Sequence, residues 1–275
     1  MLAAEVCGAS PAYDYEVRTM LEFDWEAYLT KVACELRGRC ASHSKSPLVL
    51  IRCDGQYTYV GGLDEIQALA KEELERSPAA YNRKALETKA TALYRETLVK
   101  RRRPMAFLDI RFNAAVATTK PKKVIIELYD DVCPRTCENF LALCSGEQGE
   151  CAETGTQLHY RDCRFHRVVR DGWVQTGDVP GVAPFPDESF AVPFDRPGII
   201  AMANTGPHTN ASQFFITLAP LPWLDKTAVA FGGVVKGMAA VRQIGSLQTN
   251  NERPIEDCII ASCGTVSLDT GLGLQ

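Results

Sequence analysis

The chain has 275 residues, 46% of them apolar, which is long enough for two domains. Its formal net charge of −4 argues against a general nucleic-acid binder. No run approaches the roughly 20 apolar residues of a membrane span, and Met1 to Pro11 lack the basic and apolar stretches of a secretory leader. Eleven cysteines without such a leader point to reduced thiols in the cytoplasm, not to a disulfide framework.

Asp24 is read as the cap of a helix in which Trp25, Tyr28, Leu29, Val32, Ala33 and Leu36 recur at helical spacing. Pro47-Leu48-Val49-Leu50-Ile51-Arg52 reads as a buried strand. Asp54-Gly55 is a hairpin signal, and Tyr57-Thr58-Tyr59-Val60 returns from it. Gly61-Gly62 ends that strand before a helix from Leu63 to Glu75. A hairpin, a double glycine and a following helix resemble the second half of a thioredoxin-like fold. No Cys-x-x-Cys pair accompanies Cys53, so dithiol chemistry is disfavoured and a docking or packing module is expected. Ser77-Pro78 opens a further helix, since proline is tolerated in a first turn, with Tyr81, Leu86, Leu93 and Leu98 along one side. It ends in Lys100-Arg101-Arg102-Arg103, where cations suit a helix C-terminus. A nuclear-import signal or an acidic, tubulin-like partner surface is the alternative. The expected boundaries are 1–76 for a small α/β region, 77–105 for a helical linker, 106–267 for a second domain and 268–275 for a tail.

In the second domain Phe107-Leu108-Asp109-Ile110 and Val124-Ile125-Ile126-Glu127-Leu128-Tyr129 read as strands. Pro134 to Phe140 begins a helix, Val235 to Ile244 forms another, and Ile259 to Gly264 closes the domain as a strand. Cys133 and Cys137 have no second cysteine-histidine pair at zinc spacing, so no metal site is expected. Three stretches carry chemistry: Phe165-His166-Arg167-Val168-Val169, Met202-Ala203-Asn204 with Ser212-Gln213-Phe214-Phe215, and Trp223-Leu224-Asp225. Each sets one or two polar donors among aromatic or aliphatic neighbours. That composition suits a shallow apolar pocket for a small ring, with a guanidinium and amides aimed at a peptide backbone.

These motifs, in this order, resemble the cyclophilins, the peptidyl-prolyl cis-trans isomerase family. The resemblance implies a mainly β fold: an eight-stranded closed antiparallel barrel capped by two helices, preceded here by the small α/β domain. It implies Arg167 as the charged donor to the twisted amide and Gln175 as the holder of the substrate carbonyl. Ala203, Asn204 and Gln213 match the groove that grips peptide backbone. Phe215 and Leu224 match the floor and wall of the proline pocket, and Trp223 its rim. No cofactor and no metal is implied, because amide rotation changes no covalent bond. Proline-containing polypeptides are the implied partners, with neither nucleic acid nor membrane. The whole layout resembles a divergent branch of the family, which implies a ciliary, axonemal or other cytoskeletal assembly as a setting alongside the cytoplasm.

Several positions depart from the family pattern. Gly172 stands where a pocket phenylalanine is usual, and Ala228 where a histidine is common, so both remove wall. Trp173 replaces a methionine and adds bulk that partly refills the gap. The loop from Val179 to Pro184 is shorter than the glycine-rich gate it matches, which loosens selection upstream of proline. Gly146 to Cys163 resembles the divergent loop of some cyclophilins, ending in Leu158-His159-Tyr160. Cys144 and Cys263 match a redox-responsive pair in that group, or are two small buried hydrophobes. His166, beside the arginine, alternates to the other face and is expected buried and hydrogen-bonded within the fold. An alternative to turnover follows from these departures: a weak or inactive cyclophilin serving as a proline-peptide-binding or structural component.

Overall fold

The computed structural model describes residues 22–36, 38–43, 48–62, 98–113 and 120–266, with scattered positions between 64 and 96. The expectations for Met1 to Pro11, Pro47, Leu63, Ser77-Pro78, Tyr81, Leu86, Leu93 and the tail 268–275 lie outside the described residues. The chain divides into two compact units, Met1–Thr97 and Leu98–Gln275.

In the first unit, helix α1 (Glu22–Leu36) buries Val32 and half-buries Trp25, Tyr28, Leu29 and Leu36. Asp24 lies inside its first turn and not at its cap, because the helix begins two residues earlier. Strands β1 (Val49–Cys53) and β2 (Gln56–Gly61) form an antiparallel hairpin about Asp54-Gly55, both at positive φ as that turn requires. β1 is half-buried at its start and exposed at Arg52 and Cys53, so it is not the buried strand expected from its apolar run. His43 Nδ1 and the Tyr59 hydroxyl share a hydrogen bond of 2.8 Å that ties the segment after α1 to β2.

The second unit is built on one antiparallel sheet. Its strands are β3 (Met105–Phe112), β4 (Lys122–Leu128), β5 (Arg167–Val169), β6 (Trp173–Thr176), β7 (Ile199–Met202), β8 (Phe214–Thr217), β9 (Ala230–Lys236) and β12 (Cys258–Val266). A short ribbon of β10 (Thr249–Asn250) and β11 (Arg253–Pro254) stands beside them. The order across the sheet is β12-β3-β4-β9-β7-β8-β6-β5. The sheet curls, and the stretch leading into β5 bonds to β12: Asp162 and Phe165 donate to Ile260 and Cys258, and Ile260 donates to Cys163.

Strand alternation separates two apolar layers. Leu108, Ile110, Ile126, Ile200, Met202, Phe214, Ile216 and Phe231 point into the main core. Helices α2 (Pro134–Ser145) and α3 (Met238–Gly245) pack onto that layer through Phe140, Leu143, Val241 and Ile244. Phe140 meets the rings of Tyr160, Phe214 and Phe231 at 5.3, 5.1 and 5.2 Å. The alternate residues Ile199, Ala201, Phe215 and Ala230 face the other way and gather a second cluster with Phe194, Leu221 and Ala228. β7 and β8 are therefore buried on both faces, and the outer cluster is where the site lies.

α2 has no side-chain cap of its own, and Glu188 supplies one from a distant loop. Its carboxylate accepts from the Arg135 and Thr136 amides at 3.0 and 2.9 Å and from the Thr136 hydroxyl at 2.8 Å, meeting the free N–H groups of a helix start. α3 begins at Met238, later than expected, because Val235 and Lys236 remain in β9. Gly237 then turns the chain at φ 93°, where a Cβ would strike the Lys123 carbonyl.

The basic run is met by carboxylates and not left to a helix dipole. Arg101 donates to Glu127, only 3% exposed, at 3.1 Å, and Arg103 to Asp131 at 2.8 Å. The Arg103 guanidinium also lies over the Tyr129 ring at 4.5 Å. His166 likewise departs from expectation. It is half-buried, and its Nδ1 is enclosed without a hydrogen-bond partner, because the strand edge beside it offers no acceptor at that depth.

Candidate functional site

Cross-strand register lines up the site. Arg167 on β5 faces Gln175 on β6, Gln175 faces Phe215 on β8, and Phe215 faces Ala201 on β7. Directly paired residues share a face of the sheet, so one row runs from a guanidinium through an amide to an aromatic floor. Trp173, two residues before Gln175, stands on the same face.

Trp173 touches every part of that row. Its indole N–H donates to Gln175 Oε1 at 3.4 Å, a long bond. Its ring packs on Phe215 at 5.6 Å, and the Arg167 guanidinium lies 5.4 Å from its centroid. Gln175 Nε2 donates to Gln213 Oε1 at 2.9 Å, and Gln213 Nε2 donates to Asp178 Oδ1 at 2.9 Å. Each amide accepts on one side and donates on the other, so the chain polarises toward a carboxylate. Asp178 sits at the start of the shortened loop, whose next residue is pinned by Ser212 Oγ accepting from the Val179 amide at 3.1 Å.

Arg167 is half exposed and engaged. Its Nε donates to Glu252 Oε2 at 2.7 Å, and its terminal nitrogens make no hydrogen bond among the described residues. Glu252 lies in the turn between β10 and β11.

The apolar half is filled. Phe215 is only 5% exposed, between Trp173 and Phe194, whose ring stacks on it at 6.0 Å and 14°. Phe194 is held by its amide donating to Asp225 Oδ1 at 2.9 Å, and its carbonyl accepts from Leu221 at 2.8 Å. Ala228 is buried in this cluster, and Ala203 and Leu224 pack at its border. Gly172 is buried at the end of a turn in which its amide donates to Val169 at 3.0 Å, and a Cβ there would press on the Val169 side chain. The wall missing at Gly172 and Ala228 is thus replaced by Phe194 and Trp173. Trp223, 64% exposed, stands clear of the cluster on a 3₁₀ turn. Asn204 is spent on the scaffold: Nδ2 donates to the Thr227 carbonyl at 2.8 Å, and Oδ1 accepts from Gly206 at 3.3 Å. The Ala203 amide donates to the Gln213 carbonyl at 2.9 Å, which locks the two groove strands together.

Arg167, Gln175, Trp173, Gln213, Phe215, Ala203 and Leu224 therefore gather on one face, while Trp223 and Asn204 flank it. The sequence reading did not single out Phe194, Glu252 or Asp178. Only Phe194 had a local signal, the alternation Phe190, Val192, Phe194 leading into the cluster.

Away from the site, Cys144 and Cys263 touch. A hydrogen bond from Cys144 holds the Cys263 thiol below its usual range, helped by the Tyr160 backbone and Arg161, while burial pushes Cys144 well up. His159 Nε2 lies 3.8 Å from the Cys263 sulfur. Burial raises the nearby Cys163 to about 12.

The sheet order, the two packed helices and the row of Arg167, Gln175 and Phe215 belong to one class. Residues 114–265 match the family model described as cyclophilin type peptidyl-prolyl cis-trans isomerase/CLD, and the chain belongs to this family. Among curated proteins it is similar to the probable inactive peptidyl-prolyl cis-trans isomerase-like 6 of Mus musculus, 35% identical over 96% of this chain and 85% of that protein. The Homo sapiens protein of the same description is 36% identical over 88% of this chain and 78% of its own length. That of Bos taurus is 36% identical over 88% and 79%.

Proposed function

We propose that the chain binds proline-containing polypeptide segments along this row and accelerates rotation of the X-Pro bond, at a rate well below that of an open cyclophilin pocket. Rotation faces a barrier of roughly 18–20 kcal/mol from amide resonance. Catalysis requires tighter binding of the twisted amide than of either planar form. The twisted nitrogen regains a lone pair, and a fixed positive charge beside it is the electrostatic aid such a site can give. Arg167 supplies that charge, Gln175 and Gln213 meet the peptide carbonyl and backbone, and Phe215 with Trp173 and Leu224 receives the ring. The observation that carries this reading is the register that puts Arg167, Gln175 and Phe215 in adjacent places on one face.

The reduced rate follows from burial. A ring that cannot lie flat on Phe215 loses apolar contact worth about 1.5–3 kcal/mol, or about one to two orders of magnitude. Exchange NMR on a proline peptide tests the reading: the wild type speeds cis-trans exchange at high enzyme concentration, and Arg167→Ala binds without speeding it. No enhancement by the wild type defeats the catalytic reading.

The second reading is a binding module without turnover, favoured by the 5% exposure of Phe215 and the engagement of Arg167 by Glu252. The printed description of the relatives as probably inactive supports it. In that reading the groove anchors the chain in a cytoplasmic assembly such as the ciliary axoneme, and the first unit serves as its docking module.

A further inference from the structure

The turn joining β10 to β11 consists of Asn251 and Glu252, at φ 49° and 65°. A two-residue hairpin with both centres at positive φ favours glycine second, because left-handed backbone strains any side chain placed there. Position 252 carries a glutamate instead. Its carbonyl accepts the Val168 amide at 2.7 Å, which fixes its backbone one residue along β5 from Arg167. From that anchor its carboxylate meets Arg167 Nε at 2.7 Å. Both side chains are nearly half exposed, at 45% and 46%, so an incoming peptide can reach either.

We propose that Glu252 is a built-in competitor for Arg167, a positioning residue that restrains peptide binding and turnover by occupying the guanidinium before substrate arrives. The inference rests on the reading of Arg167 as the group that meets the twisted amide. A carboxylate bound to the guanidinium neutralises part of the field that would stabilise the nitrogen lone pair. Substrate must turn the arginine away from Glu252 or accept a weakened donor. An exposed ion pair commands only a factor of about two to five, so the device tunes the site and does not abolish it.

Two substitutions test this. Glu252→Gln keeps the shape and removes the charge; Glu252→Gly suits the turn, so loss of folding cannot mask the result. Both are expected to bind an X-Pro peptide about two- to fivefold tighter by NMR titration. The gain disappears in the double variant Arg167→Ala/Glu252→Gln. The ¹⁵N-bound proton of Arg167 Nε shifts between wild type and Glu252→Gln, a readout that needs no turnover. Variants that bind no tighter, a gain that persists without Arg167, or an unmoved Nε resonance overturns the proposal. If binding tightens through Arg167 while every variant exchanges proline at the uncatalysed rate, Glu252 keeps its role and the isomerase reading fails.

Discussion

Trp173→Ala separates a wall from a plug. In the structure the indole makes three contacts that alanine would lose: the guanidinium at 5.4 Å, the Phe215 ring at 5.6 Å and the long hydrogen bond to Gln175. The cation–π contact is worth about 0.5–1 kcal/mol at this exposure, and the aromatic pair about 0.5–1.5 kcal/mol. The hydrogen bond at 3.4 Å adds little. Together they amount to about 1–2.5 kcal/mol. If Trp173 is the rebuilt wall of the ring slot, Trp173→Ala lowers kcat/KM for a proline peptide by about tenfold. Most of the change falls on KM, because ring contact is shared by ground and transition states. The assay is exchange NMR over a range of peptide concentrations, with thermal unfolding as a check on folding. A variant that binds peptide more tightly than wild type refutes the reasoning, since removal of the indole would then have uncovered a hollow that it fills.

Two further outcomes follow from titrating groups. Cys263, held low by the hydrogen bond from Cys144, is alkylated faster at neutral pH than Cys144, Cys163 or Cys258, which mass spectrometry of a timed iodoacetamide reaction reads directly; preferential labelling of Cys163 would contradict it. The Asp131 carboxyl is held below its ordinary range by the hydrogen bond from Arg103, so its contribution is present above the usual carboxylate pKa and lost as pH falls through the depressed one. At 56% exposure solvent screening leaves about a few tenths of a kcal/mol, and Asp131→Asn should flatten the acid limb of a stability curve by that much; an unchanged limb denies the pair any role.

The fold was legible where one physical signal dominated. Val124, Ile126 and Leu128 alternate into the core, and the apolar runs at Ile199 to Met202 and Phe214 to Thr217 mark strands buried on both faces. The site was legible where the motif spacing matches strand register, as for Arg167, Gln175 and Phe215. Glu252 escaped because its partner lies 85 residues away and a turn residue gives no local sign of what its side chain meets. Glu188 escaped for the same reason, capping α2 from 52 residues beyond it. Asp24 misled because a helix start is set by backbone that local sequence marks only to within a residue or two. His166 misled because alternation tells which way a side chain points, not whether an acceptor waits there.

The substitutions around Phe215 form a compensated exchange. Small residues at Gly172 and Ala228 withdraw volume from two sides, and Trp173 and Phe194 return it from two others. Such an exchange keeps a cluster packed, so the outer layer stays stable while the shape it offers changes. A pyrrolidine ring then meets the edges of Trp173 and Leu224 and not the open face of Phe215. That weakened contact and the Glu252 ion pair act on different groups, the ring slot and the guanidinium. Independent effects add in free energy, so a loss of about tenfold from the slot and about two- to fivefold from the pair multiply. Removing the charge at position 252 consequently restores only the smaller factor. The larger one stays with the aromatic pair, and reopening the slot requires a change at Trp173 or Phe194 that the surrounding cluster can absorb.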